Sequence, residues 1–367
     1  MSRLNLCKSC AHRAVLRMVG VALGAPVSDD LLFDIIQSDP SHLAKIINAH
    51  HVHTVLASIR GRDDRLDKVL PEDLWIYLEE MQTANEHRRQ DGIAQLSWLG
   101  SLLGKQGIPT VVLKGGAGFL DRATTWSAWR FVSDLDILVP EDRAEEAQTL
   151  IAEAGGVWEP YSEHTAAAQH HLPPLILANW EFQVEVHKQP GQSLVTQVLS
   201  SNDVFATAEM TCAQGIMKPS LLHRYLHHIL HVAVGLNNGE MIHLRGVCDH
   251  AGFQARLTND EMIAARLALV SAGLDHYRRR LDALCGLLVD DEVLIEQMEV
   301  RWLTHALHRF GNPSAKRYAI IRNRLAVYAR LFLKQPNYRK YFFHSLRRRG
   351  KLRGVVSRLR EQLRFTS

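Results

Sequence analysis

No stretch of this chain stays apolar for the roughly 18 residues that a membrane-crossing helix needs, so a spanning helix is not expected. Residues 14–26 are apolar in places, but Arg17 interrupts them. They read as an amphipathic helix ending near Gly24-Ala25-Pro26, not as a secretion signal. Cysteine is scarce, with 5 in 367 residues. An odd, scattered set (Cys7, Cys10, Cys212, Cys248, Cys285) excludes the paired framework of a small secreted domain and fits a reducing cytoplasm. Cys7-Lys-Ser-Cys10 has the spacing of half a zinc knuckle or of a redox pair. No second CxxC follows and His12 is too close to complete one, so both read as ordinary cysteines. Internal repeats and low-complexity tracts are missing as well, which excludes a solenoid or a linker-like chain.

Excess charge is also small. The chain carries a formal net +4. From Lys334 onward there are eleven Lys/Arg against one acid, so the tail is +10 and residues 1–333 sum to −6. A body of that sign is not built to hold nucleic acid. The tail also carries Tyr341-Phe342-Phe343, Val355-Val356 and Leu359. It reads as a basic amphipathic segment suited to the body's own surface, to an acidic partner or to a membrane surface.

What is present is a globular composition, 46% hydrophobic and 22% charged, long enough for two or three domains. Residues 1–95 have helical spacing, as in Leu31-Leu32-x-x-Ile35-Ile36 and Leu43-x-x-Ile46-Ile47, with Ser41 a candidate cap for the second helix. Pro71-Glu72-Asp73 opens a further helix, followed by a separate longer one over about 85–106. Residues 96–190 then read as a small α/β core. Thr110–Leu113 is a short β run, and Gly115-Gly116 leads into a helix. Ser133–Val139 alternates polar and apolar residues as a half-buried strand does. Two more β runs, Leu175–Ala178 and Glu181–His187, flank Asn179, a turn residue for a hairpin. Residues 191–333 are helical again, and 334–367 form the basic tail. The expected fold is thus α/β (α+β): a small mixed sheet flanked by an N-terminal helical region and a C-terminal helical domain.

The chemistry concentrates in the core. Asp134 and Asp136 are two apart on one strand, so both carboxylates share a face while Leu135 and Ile137 take the other. Two such charges repel unless a divalent cation offsets them. Phosphoryl and nucleotidyl transfer use this arrangement, with two Mg²⁺ clamping the attacking and leaving oxygens. Glu185, beside Gln183 and His187 on one strand face, completes a carboxylate triad if the two strands are neighbours. It is also a candidate base toward an acceptor hydroxyl. Lys114-Gly115-Gly116 can bring backbone N–H groups and a cation to phosphate oxygens. Arg130 can add a bidentate grip on a triphosphate.

Val112-Leu-Lys-Gly-Gly116, Arg130-x-x-Ser-Asp-Leu-Asp-Ile-Leu-Val139 and Val184-Glu-Val-His187 together resemble the polymerase-beta-type nucleotidyltransferase superfamily. Within it the likeness is to a bacterial nucleotidyltransferase-like family of largely uncharacterised proteins. Leu222-His-x-x-x-His227 and Leu244-Arg-x-x-x-Asp249 are similar to that family's helical half, and the likeness covers about residues 90–260. The resemblance implies Mg²⁺-dependent transfer of a nucleoside monophosphate from an NTP, with ATP as expected donor. The acceptor would be a small molecule, peptide or protein, in a setting such as natural-product tailoring. Asp134, Asp136 and Glu185 would hold the metals. Lys114, Gly115, Gly116, Arg130 and Ser133 would contact the nucleotide. A phosphotransferase, or a non-catalytic nucleotide-binding or toxin-neutralising partner, is the alternative on the same fold. The chain departs from the better-known pattern in having Gly-Gly for Gly-Ser and a longer gap to Asp134.

Other polar clusters read more blandly. His223, His227 and His231 lie four apart on one helix face, but the further ligand and Glu base of a zinc site are not evident, so packing is expected, with contact to a substrate or phosphate the alternative. His50, His51 and His53 read as surface or helix-end residues. Arg245 and Asp249, four apart on a helix, read as a domain-packing salt bridge or as a contact from the helical domain to the active site. Trp126 and Trp129 suit nucleobase stacking, a lid over the site or plain packing.

Overall fold

The computed structural model describes Cys7, residues 9–121, Trp126, residues 130–158 and 170–237, Glu240, residues 242–290, and Trp302, Thr304, Ala306 and Leu307. The basic tail and Trp129 lie outside the described residues. Among the described residues no helix is long and apolar enough to cross a membrane.

The N-terminal helices are α1 (Cys10–Ala22), α2 (Asp29–Ile36), α3 (Pro40–His50), α4 (His53–Ala57), α5 (Asp64–Val69) and α6 (Glu72–Gly104). Side chains of Ser9, Ser28, Asp39 and Asp63 accept first-turn backbone N–H groups of α1, α2, α3 and α5. The cap of α3 is therefore Asp39, not Ser41. Pro40 is prebuilt for the first helical position and lacks the N–H that would need a partner. Arg17 sits inside the bundle, where Asp34 and Asp30 pair with it.

α6 is one helix where two were expected. No proline or other strong breaker interrupts residues 80–91, so nothing local stops it. Its first part buries Leu74, Trp75 and Leu78 among the N-terminal helices. Its last part buries Leu96, Leu99 and Leu103 against the sheet. The helix changes core along its length, which made the apolar stripe look like two short ones.

β1 (Thr110–Val112) leads into α7 (Lys114–Phe119), and β2 (Asp134–Leu138) into a 3-10 turn and α8 (Ala144–Glu153). Then come β3 (Gly156–Trp158), β4 (Leu175–Leu177), β5 (Gln183–His187), the short helices α9 (Ser193–Thr196) and α10 (Ser201–Ala206), and β6 (Glu209–Met210) and β7 (Ile216–Lys218). The chain continues through α11 (Leu221–Asn237), α12 (Leu244–Gln254), α13 (Asn259–Ser271) and α14 (Asp275–Val289).

The strands form one mixed seven-stranded sheet in the order β3-β4-β5-β2-β1-β7-β6. β2 runs parallel to β5 and antiparallel to β1. β4 and β5 are antiparallel, with Asn179 left-handed (φ 63°) between them, as the hairpin reading expected. β6 and β7 join from beyond residue 190, and α6 runs unbroken across residue 95.

Two cores sandwich the sheet. One face, with Leu135, Ile137, Val184 and Val186, packs with α6, α7 and α8. The other, with Val111, Leu113 and Leu138, packs with α9, α11, α13 and α14. A third core joins the N-terminal helices to Leu244, Val247 and Cys248 of α12 and to Leu284, Leu287 and Leu288 of α14. The first and last helical regions thus brace one another, and the polar face of β2 and β5 looks into the space beside α11 and α12.

Candidate metal and nucleotide site

The alternation read in β2 is real, and its register with β5 does the rest. Asp134 lies opposite Gln183, Asp136 opposite Glu185 and Leu138 opposite His187. Side chains at equivalent positions of adjacent strands share a face. Asp136, Glu185 and His187 consequently converge, and one ligand atom from each lies within 4.8 Å of the others. Asp134, a residue pair nearer the start of the strand, is held by the Ser133 hydroxyl, which donates to its Oδ1 over 3.0 Å.

Asp136 is 1% exposed and doubly partnered. Lys114 Nζ donates to its Oδ1 over 2.6 Å. His187 Nε2 approaches the same oxygen at 2.7 Å and Glu185 Oε2 at 3.6 Å. Burial alone would push the Asp136 carboxyl up, but Lys114 and His187 outweigh it and hold the group well below the usual carboxylate range. Burial and then the Asp136 charge push Asp134 up, with Lys114 acting against them. Burial works against the charged form of Lys114 too, yet the surrounding carboxylates raise its affinity for the proton. The site gathers acids that need cations and has one lysine placed among them.

Lys114 gets there through a left-handed backbone (φ 48°), which costs a non-glycine residue on the order of 1 kcal/mol. That turn sits where β1 becomes α7, and Leu113 N donates to Asp136 O over 2.8 Å. The two glycines after it have packing reasons as well as the phosphate-turn reading. A Cβ on Gly115 would meet Val132 Cγ2 at 2.7 Å, and one on Gly116 would meet Val112 Cγ2 at 2.7 Å. α7 can lie this close to the sheet only because both positions lack a side chain.

A cavity of about 250 Å³ opens between this face and the helical half. Lys114, Gly115, Arg130, Ser133, Asp134 and Asp136 line its sheet side, and residues of α11 and α12 line the other. Arg130, expected to reach toward a triphosphate, is paired with Asp249 of α12 at 3.0 Å. Trp126 Nε1 donates to the same carboxylate over 2.8 Å. Asp249 thus reaches the cavity from the helical half, the second of its two expected roles, and is not the partner of Arg245 among the described residues. Arg245 instead donates to the Phe131 carbonyl over 3.0 Å. Trp126 is more than a packing residue, since its N–H ties it to Asp249 of the helical half. Of the histidine triplet, His227 and His231 line the cavity, while His223 pairs with Thr207 Oγ1 at 2.9 Å. His228, also in the lining, carries no counterpart in the spacing that singled out the triplet.

The upstream histidines are helix-end residues, as one of their two expected roles had it, with His50 closing α3, His51 capping it and His53 opening α4. His50 and His53 are buried, not on the surface. His51 stacks on Phe131 (centroids 4.8 Å apart, planes within 4°), and His53 meets the same ring edge-on at 5.9 Å. They anchor the 130–133 segment to the N-terminal helices. Both ring nitrogens of His53 are buried and make no hydrogen bond among the described residues. Burial, and then Arg245, push its pKa down to about 4.

Unfolded, His53 takes a proton near the ordinary value of about 6.5. Folded, it stays neutral down to about 4. The unfolded chain therefore binds more protons between these values, and stability is full above the upper one and falls as pH drops through the window. His53 alone, 2% exposed, is expected to remove roughly 3 kcal/mol between pH 7 and pH 4. Urea unfolding across that range checks it. His53→Leu should flatten the profile, and an unchanged profile in that variant refutes the assignment.

Two features gave no local signal in the sequence. One is the pairing of His187 with Asp136, hinted at only by its place on the strand face of Glu185. The other is Asp121, two residues past the end of α7, which accepts from Arg224 through both guanidinium ends at 2.8 Å, from Arg256 at 3.0 Å and from Lys218 at 3.1 Å. It ties α7 to β7, to α11 and to the end of α12.

A mixed sheet that places two strand carboxylates and a third acid from the parallel neighbour around one lysine is of nucleotidyltransferase type. A family model described as "uncharacterised nucleotidyltransferase" matches residues 37–271, well over half of the chain, and the chain belongs to that family. The match takes in more of the N-terminal helices than the motifs alone suggested. No curated protein and no solved structure matches it.

Proposed function

We propose that this protein is a divalent-metal-dependent nucleotidyltransferase, moving AMP from ATP to a hydroxyl or phosphate of a small-molecule, peptide or protein acceptor. The observation that carries the reading is the Asp136–Glu185 register, which sets a third acid beside the Asp-x-Asp strand whose two carboxylates line the cavity. The donor set fits the metal. Three carboxylates face a partly buried space in which one lysine is too little to offset their charge.

Asp134, Asp136 and Glu185 would hold the ion or ions. Bound there, Mg²⁺ supplies charge neutralisation at the α-phosphate and at the departing pyrophosphate. The chain's own groups do the positioning. Lys114 and the backbone of Gly115 and Gly116 suit the phosphates, Ser133 and Arg130 lie on the same wall, and the helical half leaves room for the acceptor. The acceptor oxygen bonds to the α-phosphorus, the bond to pyrophosphate breaks, and the acceptor proton passes to a carboxylate of the set, Glu185 being the candidate base.

Two measurements test this. Mg²⁺-dependent ATP binding by calorimetry needs no acceptor and should be lost in Asp134→Asn. Labelled ATP with an acceptor panel should then release pyrophosphate and add a nucleotide mass to the product. A gain of one phosphate makes the protein a phosphotransferase instead. Tight binding without turnover on any acceptor favours the non-catalytic alternative.

A further inference from the structure

His187 is wholly buried, yet both of its ring nitrogens are committed. Nδ1 lies 3.3 Å from the Gln189 carbonyl. A carbonyl can only accept, so Nδ1 carries the hydrogen in that contact. Nε2 faces two carboxylate oxygens, Asp136 Oδ1 at 2.7 Å and Glu185 Oε2 at 3.6 Å, so without a metal it too carries a hydrogen, and a cation bound there takes that proton's place. A backbone carbonyl on one nitrogen and a carboxylate-lined cation position on the other is how proteins orient a ligating imidazole. The strand register enforces it, because His187 follows Glu185 by two on the same face. The spans are compatible with one ion. Donors about 2.0–2.3 Å from a cation lie roughly 3–4.5 Å from one another. The three ligand atoms lie within 4.8 Å, so shifts of a few tenths of an ångström suffice.

We propose that His187 is itself a metal ligand, making this a mixed nitrogen–oxygen centre that takes a first-row transition ion such as Mn²⁺ in preference to Mg²⁺. The proposal rests on the nucleotidyltransferase reading of the same carboxylates and changes which ion they serve. Mg²⁺ prefers oxygen donors alone, whereas an imidazole suits the transition metals. Lys114 Nζ shares Asp136 Oδ1 with His187, so an ion bound there competes with the lysine. The displaced ammonium would be left beside Asp134 at the cavity wall, where phosphates are expected.

Pulsed EPR of the full chain loaded with Mn²⁺ alone tests this without reference to activity. ¹⁴N modulation from a directly bound imidazole is expected, together with Mn²⁺ binding at least about tenfold tighter than Mg²⁺ by competition. His187→Gln should abolish the modulation and narrow the Mn²⁺/Mg²⁺ ratio by about tenfold or more. The rings of His170 and His171 lie 5.2 and 5.3 Å from that of His187, so they are the rival nitrogen sources. If His187→Gln fails to fold, the modulation must survive in H170Q, H171Q and H231Q. Its loss in any of these overturns the assignment. Mn²⁺ binding that needs Asp136 but shows no ¹⁴N coupling overturns the histidine ligand and leaves the carboxylate site standing. Binding indifferent to Asp136→Asn, or no binding at all, overturns both.

Discussion

Asp136→Asn is expected to lower nucleotide transfer by about 10³-fold or more while leaving a folded protein. A metal ligand in this position contributes several kcal/mol of charge stabilisation in the transition state, and each 1.36 kcal/mol is about tenfold in rate. The substitution keeps the shape of the side chain and removes its charge. Lys114 and His187, which now both meet one carboxylate oxygen, would face a neutral amide. The amide oxygen can still accept from both through its two lone pairs, but it no longer carries the negative charge that offsets the lysine and attracts a metal. Loss of metal affinity should therefore accompany the loss of rate. The check is a paired measurement: pyrophosphate release with saturating ATP, and thermal unfolding of the same preparation. Activity kept within tenfold of the parent removes Asp136 from the metal site. A fall in activity matched by wholesale unfolding is separated by Asp134→Asn, whose carboxyl is partly exposed and does not hold Lys114 in a hydrogen bond.

Much of this site was legible because strand periodicity is local. Asp134-Leu-Asp136-Ile and Val184-Glu185-Val186-His187 declare their faces without any tertiary knowledge, and the structure puts every valine, leucine and isoleucine of those runs in the core. Which strands are neighbours is not local. The Asp136–Glu185 match had to be supposed from the pattern and is supplied by the parallel register. The break expected within α6 had a different cause: two successive stripes serving two cores look like two helices from inside the sequence. Pairings between distant segments were out of reach altogether. Arg130 and Asp249 are 119 positions apart, and each had a nearer reading, one as a phosphate clamp and one as the partner of Arg245. Local helix spacing favours the near pair, but the packing of α12 against the 130–133 segment decides for the far one. The buried histidines mislead for a related reason. A cluster of imidazoles near a helix end looks solvated until a ring such as Phe131 packs on it.

Asp121 sets the second large expectation: Asp121→Ala should cost about 3–5 kcal/mol, the range for removing one partner of a buried ion pair. Arg224 is 6% exposed and gives both guanidinium ends to this carboxylate, a bidentate geometry that neither water nor a lysine could replace. Arg256 and Lys218 add two more donors. The variant would leave three cations around a vanished charge, with Arg224 least able to reach solvent. Three elements meet there, so the damage would not be confined to one helix. Lys218 belongs to β7, Arg224 to α11, and Asp121 directly follows the helix that begins with Lys114 and its cap Leu120. The clamp therefore holds the helical half against the turn that aims Lys114 at Asp136. Urea unfolding of Asp121→Ala, Arg224→Ala and the double variant separates stability from position. A coupling of several kcal/mol between the two single changes is expected, since residues in direct contact are not additive. Arg256→Ala, whose side chain is 32% exposed, should cost far less than either. A loss below about 1 kcal/mol in Asp121→Ala, at the level of a solvent-exposed pair, would show that the two halves are held together by their apolar cores alone.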